Sequence, residues 1–95
     1  MSSRLAFGSP YRDLVRHAGP QALDELEPLL VELRQVPGLV ERKRGLFTRG
    51  SRAFLHFHED PSGLHADVRL ADGFERFRVE TADERAELLV LIRSL

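Results

Sequence analysis

Two hydrophobic periods divide the chain. Between Gln21 and Val36 leucines recur at helical spacing, with Leu23, Leu26, Leu30 and Leu33 on one stripe. Pro28 falls on the opposite side, where it kinks the helix at the surface or begins a fresh one after Glu27. Pro37-Gly38 ends the segment. Upstream, Ser9-Pro10 offers a hydroxyl cap followed by proline at the first helical position, and Gly19-Pro20 offers a stop. Tyr11 to Ala18 therefore reads as a short helix, with His17 in its last turn where a cation suits the dipole. Met1 to Gly8 has no period and reads as a flexible arm, leaving residues 9–95 as a single domain.

From Leu39 onward the period shortens to two. Leu39 to Thr48 predicts a first strand, broken at Gly45 by a bulge or a close backbone approach. Gly50-Ser51 suits a two-residue hairpin turn, which sets Leu46 opposite Leu55 and Phe47 opposite Phe54. In the next hairpin Leu55 and Phe57 must share a face with Ala66, Val68 and Leu70, because a one-residue slip would send histidines into the core. His56 then lies opposite Asp67 and His58 opposite His65, around a loop rich in turn residues from Glu59 to Leu64. Asp72-Gly73 predicts a tight turn that pairs Val68 with Phe77, Ala66 with Val79, Asp67 with Arg78 and Arg69 with Arg76.

Thr81-Ala82-Asp83-Glu84 is a capping box, opening a last helix that runs to about Ser94. Leu88, Leu91, Ile92 and Leu95 form its stripe, and Leu89 and Val90 widen it. A mostly buried helix accounts for that width; the alternative is a homodimer through the C-terminal helix. The fold expected is α+β: a four-stranded antiparallel meander in the order α-α-β-β-β-β-α, with helices on the Leu55/Phe57/Val68/Phe77 face.

Composition narrows the function classes. The chain has 95 residues, 42% apolar and 31% charged, a balance that fits one small globular core and argues against disorder. A net charge of −1 gives no bulk attraction to nucleic acid or an anionic membrane. With no cysteine, disulfides, thiolate metal sites and thiol nucleophiles are excluded. The longest apolar run, Leu88 to Ile92, is far short of a membrane span, and no secretory signal is recognisable, so a cytoplasmic location is expected.

Candidate chemistry gathers on the second sheet face, which is expected to carry Phe47, Phe54, His56, His58, His65, Asp67, Arg69, Phe74, Arg76 and Arg78. A solvated face explains much of it, with His56 paired to Asp67 and Asp67 shared with Arg78. As a binding face, His56, His58, His65, Asp67, Arg69, Arg76, Arg78 and Phe54 would hold a small anionic molecule or a protein partner. Arginine forks recognise carboxylate or phosphate, and aromatic rings supply stacking. As a metal site, His56, His58 and His65 are the candidate ligands, with Asp67 to complete the set, although nearby arginines oppose a cation. As an enzyme, His56 with Asp67 would make a base and its orienting carboxylate, but Ser51 and Ser62 read as turn residues and no nucleophile is evident. No catalytic residue and no cofactor is assigned. The leading expectation is a non-enzymatic binding module, with a metal-dependent or His/Asp-based hydrolase as its rival.

The stretches Leu46-Phe47, Phe54-Leu55-His56-Phe57-His58 and Leu64 to Leu70 resemble the small bacterial family labelled "luciferase domain", whose hallmark is a His-x-His strand after a hairpin. The resemblance covers residues 39–70 and, loosely, the last helix. It implies helices packed on one antiparallel sheet, matches His56 and His58 to the family motif, and implies no activity or flavin pocket. The order of elements is also similar to the YjbR-type fold, which would imply DNA binding by analogy of fold alone.

Overall fold

The computed structural model describes residues 16–95. The expected arm and residues 11–15 of the expected first helix lie outside them. Eight elements follow: β1 (Arg16–His17), α1 (Pro20–Leu33), β2 (Leu39–Lys43), β3 (Leu46–Arg49), β4 (Arg52–Asp60), β5 (Gly63–Leu70), β6 (Gly73–Arg78) and α2 (Ala82–Arg93). The class is α+β with an antiparallel sheet, as expected, but the sheet is larger and the order differs. Strands β2 to β6 run in sequence order as a meander, and β1 adds to β4 as a sixth strand. Arg16 and His17, expected to close a helix, are paired with Glu59 and His58 instead.

The expected first strand is two strands. Gly45 has φ 81° and closes the turn between β2 and β3. A Cβ on it would come 2.7 Å from Leu23 Cδ2, so α1 also passes too close for a side chain there. The β3–β4 turn at Gly50-Ser51 starts in the expected register, with Arg49 opposite Arg52 and Thr48 opposite Ala53. A bulge then inserts Phe54, so that Phe47 meets Leu55 and Leu46 meets His56. That single extra residue moves Phe47 off the polar face. Phe47 is 0% and Phe54 4% exposed, and both belong to the core, contrary to the placement of Phe54 on the binding face.

The β4–β5 register is the expected one, with His56 opposite Asp67 and His58 opposite His65. The β5–β6 register is displaced. Ala71-Asp72 forms the turn and Gly73, at φ 148°, already pairs with Leu70. Asp67 therefore faces Arg76 rather than Arg78, and Arg69 faces Phe74. The displacement is even, so every side chain keeps its face. Apolar pairing favours the expected register, which sets Phe77 opposite Val68, but the chain sets Glu75 there and Phe77 opposite Ala66.

α1 continues through Pro28, which is exposed, and ends at Leu33 rather than Val36. It buries Ala22, Leu26, Leu29, Leu30 and Leu33; Leu23 is only partly buried. α2 begins at the expected capping box, with Thr81 Oγ1 accepting from Glu84 N and Glu84 Oε1 from Thr81 N. Leu88 and Ile92 are buried, whereas Val90 is 67% exposed. Both helices join Leu55, Phe57, Ala66, Val68 and Phe77 in one core, and Arg93 Nη2 donates to Glu32 Oε1 at 2.8 Å where they meet. The helix-covered face is thus the expected one. No helix among the described residues is long and apolar enough to cross a membrane.

Candidate metal centre

Strand alternation puts His56 and His58 on the face opposite the core, and the β1–β4 pairing puts His17 beside His58. The three imidazoles pack together. His17 stacks on His58 with centroids 4.9 Å apart, His56 meets His58 edge-on at 4.8 Å, and His17 lies 5.9 Å from His56. Each offers a ring nitrogen within 4.8 Å of the other two. His65, expected as the third member, does not join them. Its Nε2 lies 2.9 Å from Ser62 Oγ and 3.4 Å from Asp60 Oδ1, at the β4–β5 loop.

Asp67 anchors the group. It stands on β5, opposite His56 on one side and Arg76 on the other, and is 9% exposed. Arg76 grips it with two parallel bonds, Nε to Oδ1 at 2.8 Å and Nη2 to Oδ2 at 3.0 Å. Oδ2 also lies 3.1 Å from His58 Nε2, so the carboxylate partners His58 and not the His56 that stands opposite it. Burial pushes the Asp67 carboxyl upward, but the bonds and charge of Arg76 outweigh it, and the net shift is downward.

A carboxylate only accepts, so the proton belongs on His58 Nε2. His56 Nδ1 lies 2.9 Å from that same nitrogen, and one N–H is left to serve two acceptors. His58 Nδ1 then carries a lone pair that is buried and has no partner among the described residues. Burial lowers the pKa of His56 and of His58 below the ordinary imidazole value, against the opposing pull of Asp67. Both rings are neutral at neutral pH, with lone pairs available.

Each arginine expected to repel a cation has a partner of its own. Arg76 neutralises Asp67. Arg69 donates to Ala53 O at 2.8 Å and lies over the Phe74 ring at 4.5 Å. Arg78 leans toward α2, its Nε 3.5 Å from Glu84 Oε1. Phe74 closes the far side of the cluster, 5.0 Å from the His56 ring. Of the eight residues expected to form one binding face, His56, His58, Asp67 and Arg76 are together, Arg69 borders them, and His65, Arg78 and Phe54 are elsewhere.

The chain order makes a gap beside the cluster. β5 occupies one edge of β4, so β1 and β3 must share the other, end to end. Between His17 and Leu46, Ala18 N donates to Phe57 O at 3.1 Å, and a cleft of about 610 Å³ opens beside that contact. His17, His56, Ala18, Leu23, Leu46 and Lys43 are among its walls.

Two other groupings hold residue types capable of chemistry. Ser62, His65 and Asp60 contain the residue types of a nucleophilic triad, but Ser62 Oγ donates directly to Asp60 Oδ1 at 2.6 Å and both groups approach the same nitrogen of His65. A triad needs the imidazole between the two, with one nitrogen on each. The Asp60–Ser62 contact is the side-chain turn of a hairpin loop, with Ser62 N also bonded to Asp60 Oδ1. A second cleft is ringed by acids, of which Glu59 and Glu80 already accept from the backbone of Gly19 and Leu64.

His17 is the member that sequence reasoning missed. Its only signal is an Arg-His pair before Ala18-Gly19-Pro20, which reads more readily as a helix end. No family model matches the chain, and no curated protein or solved structure is found to match it.

Proposed function

We propose that this chain is a small metal-binding module, with His17, His56 and His58 as ligands to a zinc-class transition-metal ion. The observation that carries the reading is the convergence of three imidazoles, each with a ring nitrogen within 4.8 Å of the other two. Neutral imidazole suits zinc, copper, nickel and iron. Metal-bound histidines almost always donate their other N–H to a carboxylate or carbonyl, which fixes the tautomer and raises basicity. Asp67 stands in that relation to His58, and Arg76 holds Asp67 in turn. This is the binding-module reading of the polar sheet face, with a cation at its centre rather than an anion. The likeness of His56-Phe57-His58 to the luciferase-domain motif concerns two of the three ligands.

The test is equilibrium dialysis of the full chain against zinc, nickel and cobalt salts, followed by metal analysis. One ion per chain is expected, lost in a His56→Ala/His58→Ala variant whose circular dichroism matches the parent. Wild-type protein that retains no ion, or a double variant that retains it, would overturn the proposal.

A further inference from the structure

The cleft beside the histidines has its own chemistry. Its walls are largely apolar, from Ala18, Leu23 and Leu46, while His17 and His56 stand at one side. A volume of about 610 Å³ is in the range of small-molecule sites. Two cationic residues border it. Arg44 is committed, its Nη1 2.9 Å from Asp24 Oδ1 and its Nη2 2.8 Å from Glu27 Oε1. Lys43 has no anionic partner among the described residues. Three imidazole ligands leave a zinc-class ion an open position for an outside donor.

We infer that the His17–Leu46 cleft binds a small organic carboxylate, its apolar body against Leu23 and Leu46 and its anionic head shared by the bound ion and Lys43. The inference rests on the metal reading above. It selects an anion because the ion and the Lys43 ammonium group, which has no anionic partner among the described residues, both bring positive charge to the cleft. It selects an apolar body because an ordinary hydrated anion would gain nothing from Leu23 and Leu46.

Cobalt-loaded full-length protein tests the inference, with benzoate as probe and benzyl alcohol as the uncharged control of like shape. Benzoate is expected to shift the visible cobalt spectrum saturably, and benzyl alcohol to leave it unchanged. Lys43→Ala, at an exposed strand end, is expected to bind cobalt normally and benzoate about tenfold more weakly. A spectrum indifferent to benzoate, equal benzoate affinity in Lys43→Ala, or equal affinity in metal-free protein would each overturn the inference while leaving the metal reading standing. Failure to bind cobalt at all would overturn both.

Discussion

His17 stacks on His58, with ring centroids 4.9 Å and planes 26° apart, although the two residues lie on opposite sides of α1 and of the β2–β3 hairpin in sequence. That contact decides which imidazoles form the candidate centre. His17→Ala is expected to weaken zinc binding by more than the roughly 10–100-fold that a lost outer-shell partner costs. His65→Ala is expected to leave affinity unchanged, since His65 is held by the Ser62 and Asp60 side chains. Calorimetric titration of the two variants checks the assignment. The opposite ranking would restore the trio expected from the hairpin alone.

Asp67 has two roles that one substitution separates from each other. Asp67→Asn keeps the shape but weakens the forked bond to Arg76 and the fixing of the His58 proton. Stability is expected to fall by about 1.5–3 kcal/mol, the range for hydrogen bonds to charged groups. Zinc affinity is expected to fall about 10–100-fold. Urea unfolding measures the first and calorimetry the second. A stability loss with unchanged affinity would make Asp67 purely structural.

The pH dependence has a definite sign. His56 and His58 have folded-state pKa values below 6.5, with burial as the largest cause. Below 6.5 the unfolded chain therefore binds more protons than the folded one, until the lowered folded values are reached. Stability rises with pH through that window and is lost as pH falls through it. Metal affinity follows the same direction, because protons compete for the same lone pairs. Metal-free unfolding from pH 7 down to pH 5 should show declining stability, and His56→Ala/His58→Ala should flatten the decline. A double variant with the same slope would mean that other groups carry it.

The bulge at Phe54 makes a prediction about packing. Phe47→Ala and Phe54→Ala are each expected to cost about 3–5 kcal/mol, as core phenylalanines do. Phe74→Ala is expected to cost far less, because Phe74 is 43% exposed. Denaturant midpoints at constant slope give the comparison. Equal losses at all three positions would place Phe47 and Phe54 on the outer face after all.

Much of this fold is legible in the pattern of residues. The leucine stripe of α1, the capping box of α2 and the β4–β5 register all follow from local rules, since each misplacement would bury histidines or strand a helix end. What escapes has a physical reason in each case. The bulge at Phe54 has no marker in residue type, and a single inserted residue reverses the face of everything beyond it in the pairing, which carried Phe47 into the core. The Asp72-Gly73 dipeptide sits one position past the turn it suggests, because Gly73 meets a need for positive φ within the strand. His17 belongs to a two-residue strand, too short for any period to show, and its neighbours imitate a helix end. The candidate centre was therefore two-thirds visible: His56 and His58 follow from alternation, while the third ligand depends on a long-range pairing.

The lane shared by β1 and β3 carries a further consequence, for assembly. β1 covers the backbone of β4 near His58 and Glu59 with only two residues, so this edge is closed by the least cohesive strand of the sheet. An ion joining His17 to His56 and His58 would act as a clasp on that strand, closing a long loop through α1 and two hairpins. Without the clasp, the same lane is the place where an extended segment from a second chain could pair in β1's stead. Metal supply would then govern whether β4 is capped by its own chain or open to exchange.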